Sequence, residues 1–548
     1  MIAATVLTPF MHAQVAQKPT ASNRPLNVIL VLRDQTRYDL PVAAGYSLPA
    51  LDRLAQQGIV FRNHYIAAAM CTPSRAALFT GEPPQVNGVF DQREMPYVPS
   101  MPKDIPNMGS MMKKLGYRTA FYGKWEMDID ILPPLTPPNT SKALQPYGDK
   151  TGLPAQGYKT DTYTAAESVR WLRGNVPELR KKGQPFFLVV SFVNPHDIMY
   201  ADANVPGTPQ VQKASVEGVL TAPPKNSLYR KRWNSTLSPT MQESLSAPGM
   251  PAALTDYQTG WSGFLGSIPV NRPDMWQVFN DYYLNMIRDT DASLQQLWDG
   301  LDQLDLWKDT VVIFTADHGE MDGDHGGLRG KGPMAYEGNA HVPLIIAHPN
   351  YPGGQSSEVL TSHLDLLPTL PGLAEVPEAR RREAVKGLPG RDFSSVLSMA
   401  GTAPPQAVRP AVLFNYVGLQ TIDADYLHSS LTLGFEGKPR PPVTDLKPKL
   451  NKRGFLSFVF DGQYKFARFY SPDNFNTPVT LEQILRNNDV QLFDLKNDPL
   501  ETHNLALDPE KNQALILRMN ALLNQLMARE VGKNDGSFLP AAIRPSPR

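Results

Sequence analysis

The sequence predicts an α/β fold: a large mixed, mostly parallel sheet sandwiched by helices, followed by a smaller C-terminal unit. Three observations predict it. Short apolar, β-branched runs alternate with helical patterns along most of the chain, as when helices cross over between parallel strands. These runs are apolar at consecutive positions, so both faces of the strands are buried. Finally, 548 residues, 41% of them hydrophobic, are too many for one compact core, so a second, smaller unit is expected.

The elements follow in order. Met1 to Gln17 has the apolar centre and small-residue end of a secretory leader without its basic start. Export to the periplasm or secretion is expected, with the cytoplasm as the alternative, and residues 1–24 are set aside as leader or tail. Asn27 to Leu32 is the first strand, and Ser47 to Gly58 a helix with Ser47 as its N-cap and Gly58 as its stop. Further strands are expected at Arg118 to Tyr122, Pro185 to Phe192, Thr310 to Thr315 and Val342 to Ala347. Pro343 stands near the start of the last, where a missing N–H is tolerated. Met275 to Leu304 reads as a long helix containing a break. Tyr200 to Arg272 is rich in Pro, Ser and Gly with weak periodicity, an insertion over the sheet edge where substrate-shaping loops lie.

Pro-rich stretches at Thr402 to Pro410 and Lys438 to Lys449 flank a change of character. Phe455 to Phe469 reads as a hairpin with a tight Asp461-Gly462 turn. Leu492 to Leu495 precedes another turn, and Gln513 to Glu530 is an amphipathic helix. The expected division is 25–410 for the main domain and 411–548 for the C-terminal subdomain. No internal repeat is evident.

Composition excludes some functions. Lys plus Arg and Asp plus Glu both number 53, without the basic excess of a nucleic-acid binder. No apolar run is long enough to span a bilayer. The single cysteine, Cys71, cannot form an intramolecular disulfide, so it is either inert packing or a reactive group. It opens Cys71-Thr72-Pro73-Ser74-Arg75, with an apolar helical stretch running on to Gly81. The helix is expected to begin near Pro73, since a proline is well placed at the first helical position.

Open α/β sheets put their sites at the carboxyl ends of strands. The first strand ends in Asp34-Gln35 and a later one in Asp317-His318. Each Asp alone reads as a loop cap; together they could form a divalent-cation cage. Oxygen-rich ligation favours calcium or magnesium, and an imidazole leaves manganese possible. Gly123-Lys124-Trp125 and Gly330-Lys331-Gly332 place lysines after glycines, and His196 follows Asn194-Pro195 at another strand end.

The Cys71 to Arg75 string resembles the sulfatase signature of the alkaline phosphatase superfamily, and the other motifs fall in that family's order from Asn27 to Leu505. The resemblance implies that Cys71 is oxidised to formylglycine by a maturation enzyme, giving an aldehyde whose hydrate is the nucleophile. It implies metal ligation by Asp34, Gln35, Asp317, His318 and an oxygen of converted Cys71, with Ca²⁺ favoured over Mg²⁺ or Mn²⁺. It implies Arg75, Lys124 and Lys331 as cations around a sulfate ester, carried by a small molecule or a saccharide, and His196 as the acid that protonates the leaving alcohol. A C-terminal antiparallel sheet with a helix is also implied. One position departs from the pattern: the family's Gly-Lys-Trp-His reads Gly123-Lys124-Trp125-Glu126 here. Glu126 could act as the base on the second hydroxyl, while adding negative charge beside an anionic substrate. The expected activity is sulfate monoester hydrolysis. The alternatives are a phosphonate monoester or phosphodiester hydrolase of the same superfamily, or a non-catalytic anion-binding relative.

Overall fold

The computed structural model describes residues 25–99, 101–102, 105–127, 156–436, 438 and 448–544. The leader reading of Met1 to Gln17 and most of the Lys438 to Lys449 stretch lie outside these residues. Seven strands form the main sheet: β1 (Asn27–Arg33), β2 (Ile59–Tyr65), β3 (Arg118–Gly123), β4 (Phe186–Phe192), β5 (Thr310–Thr315), β6 (Leu344–Ala347) and β7 (Gln355–Ser362). Their spatial order is β3-β4-β1-β5-β6-β2-β7. A second sheet holds β8 (Val412–Tyr416), β9 (Phe455–Phe460), β10 (Tyr464–Tyr470) and β11 (Asp489–Asp494), all antiparallel, in the order β11-β10-β9-β8.

The consecutive apolar residues divide between two cores. Val28, Leu30 and Leu32 of β1 pack with helices Cys71–Thr80, Met108–Lys114 and His363–Leu373. Ile29 and Val31 face the other way, onto helices Gln156–Lys182 and Pro273–Gln303. Side chains alternate across a strand, so a strand covered on both faces must be apolar throughout.

Four expectations need correction. The strand ending at Ala347 runs antiparallel to both neighbours, β5 and β2. Between β5 and β6 only short helical turns form, and without a crossover helix the chain re-enters from the end it left. Apolarity on both faces reports burial, not direction. Ser47 does not cap its helix. That helix begins at Pro49, and its free N–H groups at Ala50 and Leu51 donate at 3.0 Å to the Asp291 carboxylate of the Pro273–Gln303 helix. That long helix has no break over its 31 residues. The Tyr200 to Arg272 insertion contains a helix, Ala252–Leu265, whose Tyr257 and Gln258 reach the Lys331 and Gly326 carbonyls. It therefore packs over the loops at the carboxyl end of the sheet.

The second sheet is sandwiched too. One face, with Val459, Phe466 and Leu492, packs on helix Gln513–Leu526. Its other face, with Phe414, Phe458 and Phe469, joins Tyr65, Met70 and Leu360 of the main body. Among the described residues no helix is long and apolar enough to cross a membrane.

Candidate active site

The parallel register of β1 and β5 pairs Leu32 with Thr315, so Asp34 and Asp317, two residues further on, emerge side by side. Helix Cys71–Thr80 follows β2 and is buried along its whole length; it points Cys71 at the two carboxylates. One ligand atom each from Asp34, Cys71, Asp317 and His318 lies within 4.8 Å of the other three. Asp34 Oδ1 is buried without a hydrogen-bond partner, and an orphaned carboxylate oxygen in such a donor set fits a divalent cation. His318 Nδ1 lies 3.0 Å from the Gly319 carbonyl and so carries the proton, leaving Nε2 as a lone pair 3.0 Å from Cys71 Sγ.

Arg75 balances the carboxylates. Its Nε and Nη2 reach Asp317 Oδ2 and Asp34 Oδ2, each at 2.8 Å. Its Nη1 donates to the Lys124 carbonyl at 2.7 Å and Ser191 Oγ at 2.9 Å. The guanidinium thus sits behind the ligands and leaves their Oδ1 atoms forward. Burial opposes its charge, but Asp317 and Asp34 outweigh it and raise its pKa. For Asp34, burial pushes upward, yet Lys124, His196, Arg75 and His318 hold its carboxyl well below the usual range. Burial and the neighbouring Asp34 push Asp317 up to about 6.

Lys124 follows Gly123, where φ is +99° and an added Cβ would lie 1.9 Å from the Ser191 carbonyl oxygen. Only glycine permits that approach of β3 to β4. The Lys124 ammonium then lies 2.6 Å from Asp34, 2.5 Å from Glu126 and 3.6 Å from Cys71 Sγ. Burial, then Asp34 and Glu126, raise the Cys71 thiol well above its ordinary pKa. As an unmodified thiol it is therefore a poor nucleophile.

His196 opens a short 3-10 turn, His196–Tyr200, beyond β4. Burial, then Lys124 and Lys331, hold its imidazole well below its ordinary value. Lys331 Nζ donates to Gln35 Oε1 at 2.5 Å and contacts Met199 Sδ at 2.7 Å. Gln35 adopts a left-handed conformation, φ +55°, and its N–H donates to Asp317 Oδ1 at 3.1 Å. Cys71, Asp34, Asp317, His318 and Lys124 are fully enclosed, whereas His196 and Glu126 retain 5% and 6% exposure. The approach to the cluster is on their side.

All ten residues singled out from the sequence thus lie around one centre. Their supporting residues were not singled out. Ser191 orients Arg75, Asp161 accepts from the Val193 and Asn194 N–H groups at 2.7 and 2.8 Å, and Glu320 holds the Gln35 amide. Glu320 shares a string with Asp317 and His318, which was its only local signal.

Comparison with known proteins shows the family. The family profile Sulfatase matches residues 26–376, and the chain belongs to the sulfatase family of hydrolases. It is 26% identical to arylsulfatase A of Homo sapiens over 519 residues, covering 90% of this chain and 86% of the relative. Arylsulfatase K of Gallus gallus is 26% identical over 399 residues, covering 69% and 68%. Among solved structures, a phosphonate monoester hydrolase of Agrobacterium radiobacter superposes with a TM-score of 0.64 at 22% identity, covering 92% of this chain and 96% of that one. A 2-O GAG sulfatase superposes with a TM-score of 0.61 at 19% identity, covering 93% of both chains. At these identities the superpositions speak for the fold.

Proposed function

We propose that this protein hydrolyses sulfate monoesters at Cys71, after conversion of that residue to formylglycine. The observation that carries the reading is the convergence of Asp34, Cys71, Asp317 and His318 within 4.8 Å, with the Lys124 ammonium 3.6 Å from Cys71 Sγ. Asp34, Asp317, His318 and Gln35 would hold Ca²⁺, with Mg²⁺ or Mn²⁺ as substitutes, and the cation supplies charge stabilisation to a transferring sulfuryl group. A hydrated formylglycine at position 71 would supply one hydroxyl for attack on sulfur and a second for internal release of sulfate.

The chain's own residues do the rest. Arg75 fixes the two ligand carboxylates. Lys124, beside Asp34 and Cys71, and Lys331, beside Gln35, offset the charge that develops on the sulfate oxygens. Burial and the two lysines disfavour charge on His196; the sulfate monoanion offsets both lysines, so that His196 takes up a proton from solvent as the substrate binds. It then gives a proton to the departing alcohol, a contribution of ~10²–10⁴-fold. Glu126, on the exposed side, takes the proton of the second hydroxyl. Maturation by a formylglycine-generating enzyme, and export, belong to the same proposal.

Phosphonate monoester or phosphodiester hydrolysis is the second reading. It is supported by 24% identity over 556 residues to a multifunctional alkaline phosphatase superfamily protein of Trinickia caryophylli. Comparing kcat/KM for aryl sulfate, aryl phosphodiester and aryl phosphonate on the matured protein decides between them. A dominant sulfate rate is expected, and a dominant phosphonate rate would sink the sulfatase reading. Unmodified Cys71 with no turnover of any of the three would mark a non-catalytic relative.

A further inference from the structure

Glu320 is buried without exposed surface, three residues beyond Asp317. One carboxylate oxygen accepts from the Asp322 and Gly330 N–H groups at 2.9 and 2.6 Å. The other accepts from Gln35 Nε2. An ionised carboxylate only accepts, whereas an amide has one accepting and one donating end. The carboxylate therefore dictates which end of the Gln35 amide turns towards it.

We propose that Glu320 is a positioning residue that orients the Gln35 amide so that its oxygen, not its nitrogen, faces Lys331 beside the Asp317 carboxylate. The Gln35 backbone is pinned: its N–H donates to Asp317 Oδ1 at 3.1 Å, and its carbonyl accepts from Tyr283 Oη at 2.9 Å. The side-chain amide is held between Glu320 and Lys331. With the oxygen forward, Gln35 accepts from the Lys331 ammonium at 2.5 Å and keeps a lone pair for a cation. With the nitrogen forward, two N–H donors would face an ammonium. Through Gly330, the same carboxylate also anchors the peptide that leads into Lys331. Glu320 touches neither substrate nor reacting atoms; it acts through Gln35 and Lys331.

This inference rests on the hydrolase reading, and its test separates the two. Glu320→Gln keeps an acceptor for Asp322 and Gly330 but presents an N–H₂ to Gln35, so the Gln35 amide turns over. The expected result is a ~10- to 100-fold fall in kcat/KM for an aryl sulfate and weaker Ca²⁺ binding by calorimetry. The double variant Gln35→Glu plus Glu320→Gln exchanges donor and acceptor, restores an oxygen opposite Lys331, and should recover Ca²⁺ affinity and most of the activity. A purely structural role for Glu320 gives no such recovery. Parental Ca²⁺ affinity and kcat/KM in Glu320→Gln, or no recovery in the double variant, would overturn the proposal. A parent that binds Ca²⁺ but turns over no ester would overturn the hydrolase reading, and calorimetry alone would then decide on Glu320. A parent that does neither would overturn both.

Discussion

Glu126 adopts a left-handed conformation, φ +55°, and sets its carboxylate 2.5 Å from the Lys124 ammonium. Lys124 also lies 2.6 Å from Asp34, so one ammonium separates two acids. The negative charge that Glu126 brings to an anion site is thereby screened. Asp34, Cys71 and Glu126 together outweigh burial and hold the Lys124 pKa well above its ordinary value.

Glu126→Gln removes the proposed base and leaves Lys124 paired with Asp34. Release of the alcohol precedes the step that needs Glu126. Stopped-flow assay with a chromogenic aryl sulfate should therefore show a burst of about one equivalent, followed by turnover slowed ~10²–10⁴-fold. Steady-state turnover at the parental rate would remove Glu126 from the reaction.

Cation binding should stabilise the folded protein, because the ligands converge only there. Ca²⁺ is expected to raise Tm by several degrees and EDTA to reverse this. Asp317→Asn should abolish the Ca²⁺-dependent shift. An equal shift in parent and variant would place the cation elsewhere.

Lys465 on β10 is buried and bridges Glu337, 2.5 Å away, and Glu501, 2.8 Å away. Glu337 belongs to the loop after β5, so the bridge ties the second sheet to the main body. Lys465→Met strands two carboxylates at that seam and should cost ~3–5 kcal/mol, a large part of a typical ~5–15 kcal/mol. Urea unfolding followed by tryptophan fluorescence measures it; a change within error would show that the seam does not depend on the bridge.

His64 and His363 are buried with ring centroids 5.3 Å apart. Burial first, then repulsion from a charge on His363, His341 or Arg409, holds His64 well below its ordinary pKa, and burial pulls His363 down to about 3. Above pH ~6.5 neither state binds these protons and the full stability is present. As pH falls, the unfolded chain takes up protons that the folded one refuses. Stability then drops by ~1.4 kcal/mol per pH unit per histidine until the folded pKa is reached. Urea midpoints of the metal-free protein should be lower at pH 5 than at pH 7.5, and the difference smaller in His363→Gln. An unchanged difference would contradict this assignment.

The site was more legible in the sequence than the fold around it. Asp34, Cys71, Lys124 and Asp317 each stand in a short string at a strand end or helix start, where local order already fixes their placement. Strand direction was not local. Nothing in Val342 to Ala347 records that the preceding loop stays at one end of the sheet, so β6 read as parallel. Ser47 had the right chemistry for a cap, yet Asp291, distant in sequence, provides one. Strands β2, β7 and β8 escaped notice because polar residues such as Arg62, Asn63 and Glu358 interrupt the first two, and a five-residue run forms the third. Glu320 acts only through contacts with Gln35 and Gly330 that the tertiary fold creates.

The central claim concerns Cys71 and is tested most directly by mass spectrometry of the peptide that contains it, after co-expression with a formylglycine-generating enzyme. The account predicts loss of the thiol and an aldehyde that reacts with hydroxylamine, in a protein whose aryl sulfate hydrolysis disappears in Cys71→Ala. An intact thiol in active protein, or turnover undiminished by Cys71→Ala, would contradict it.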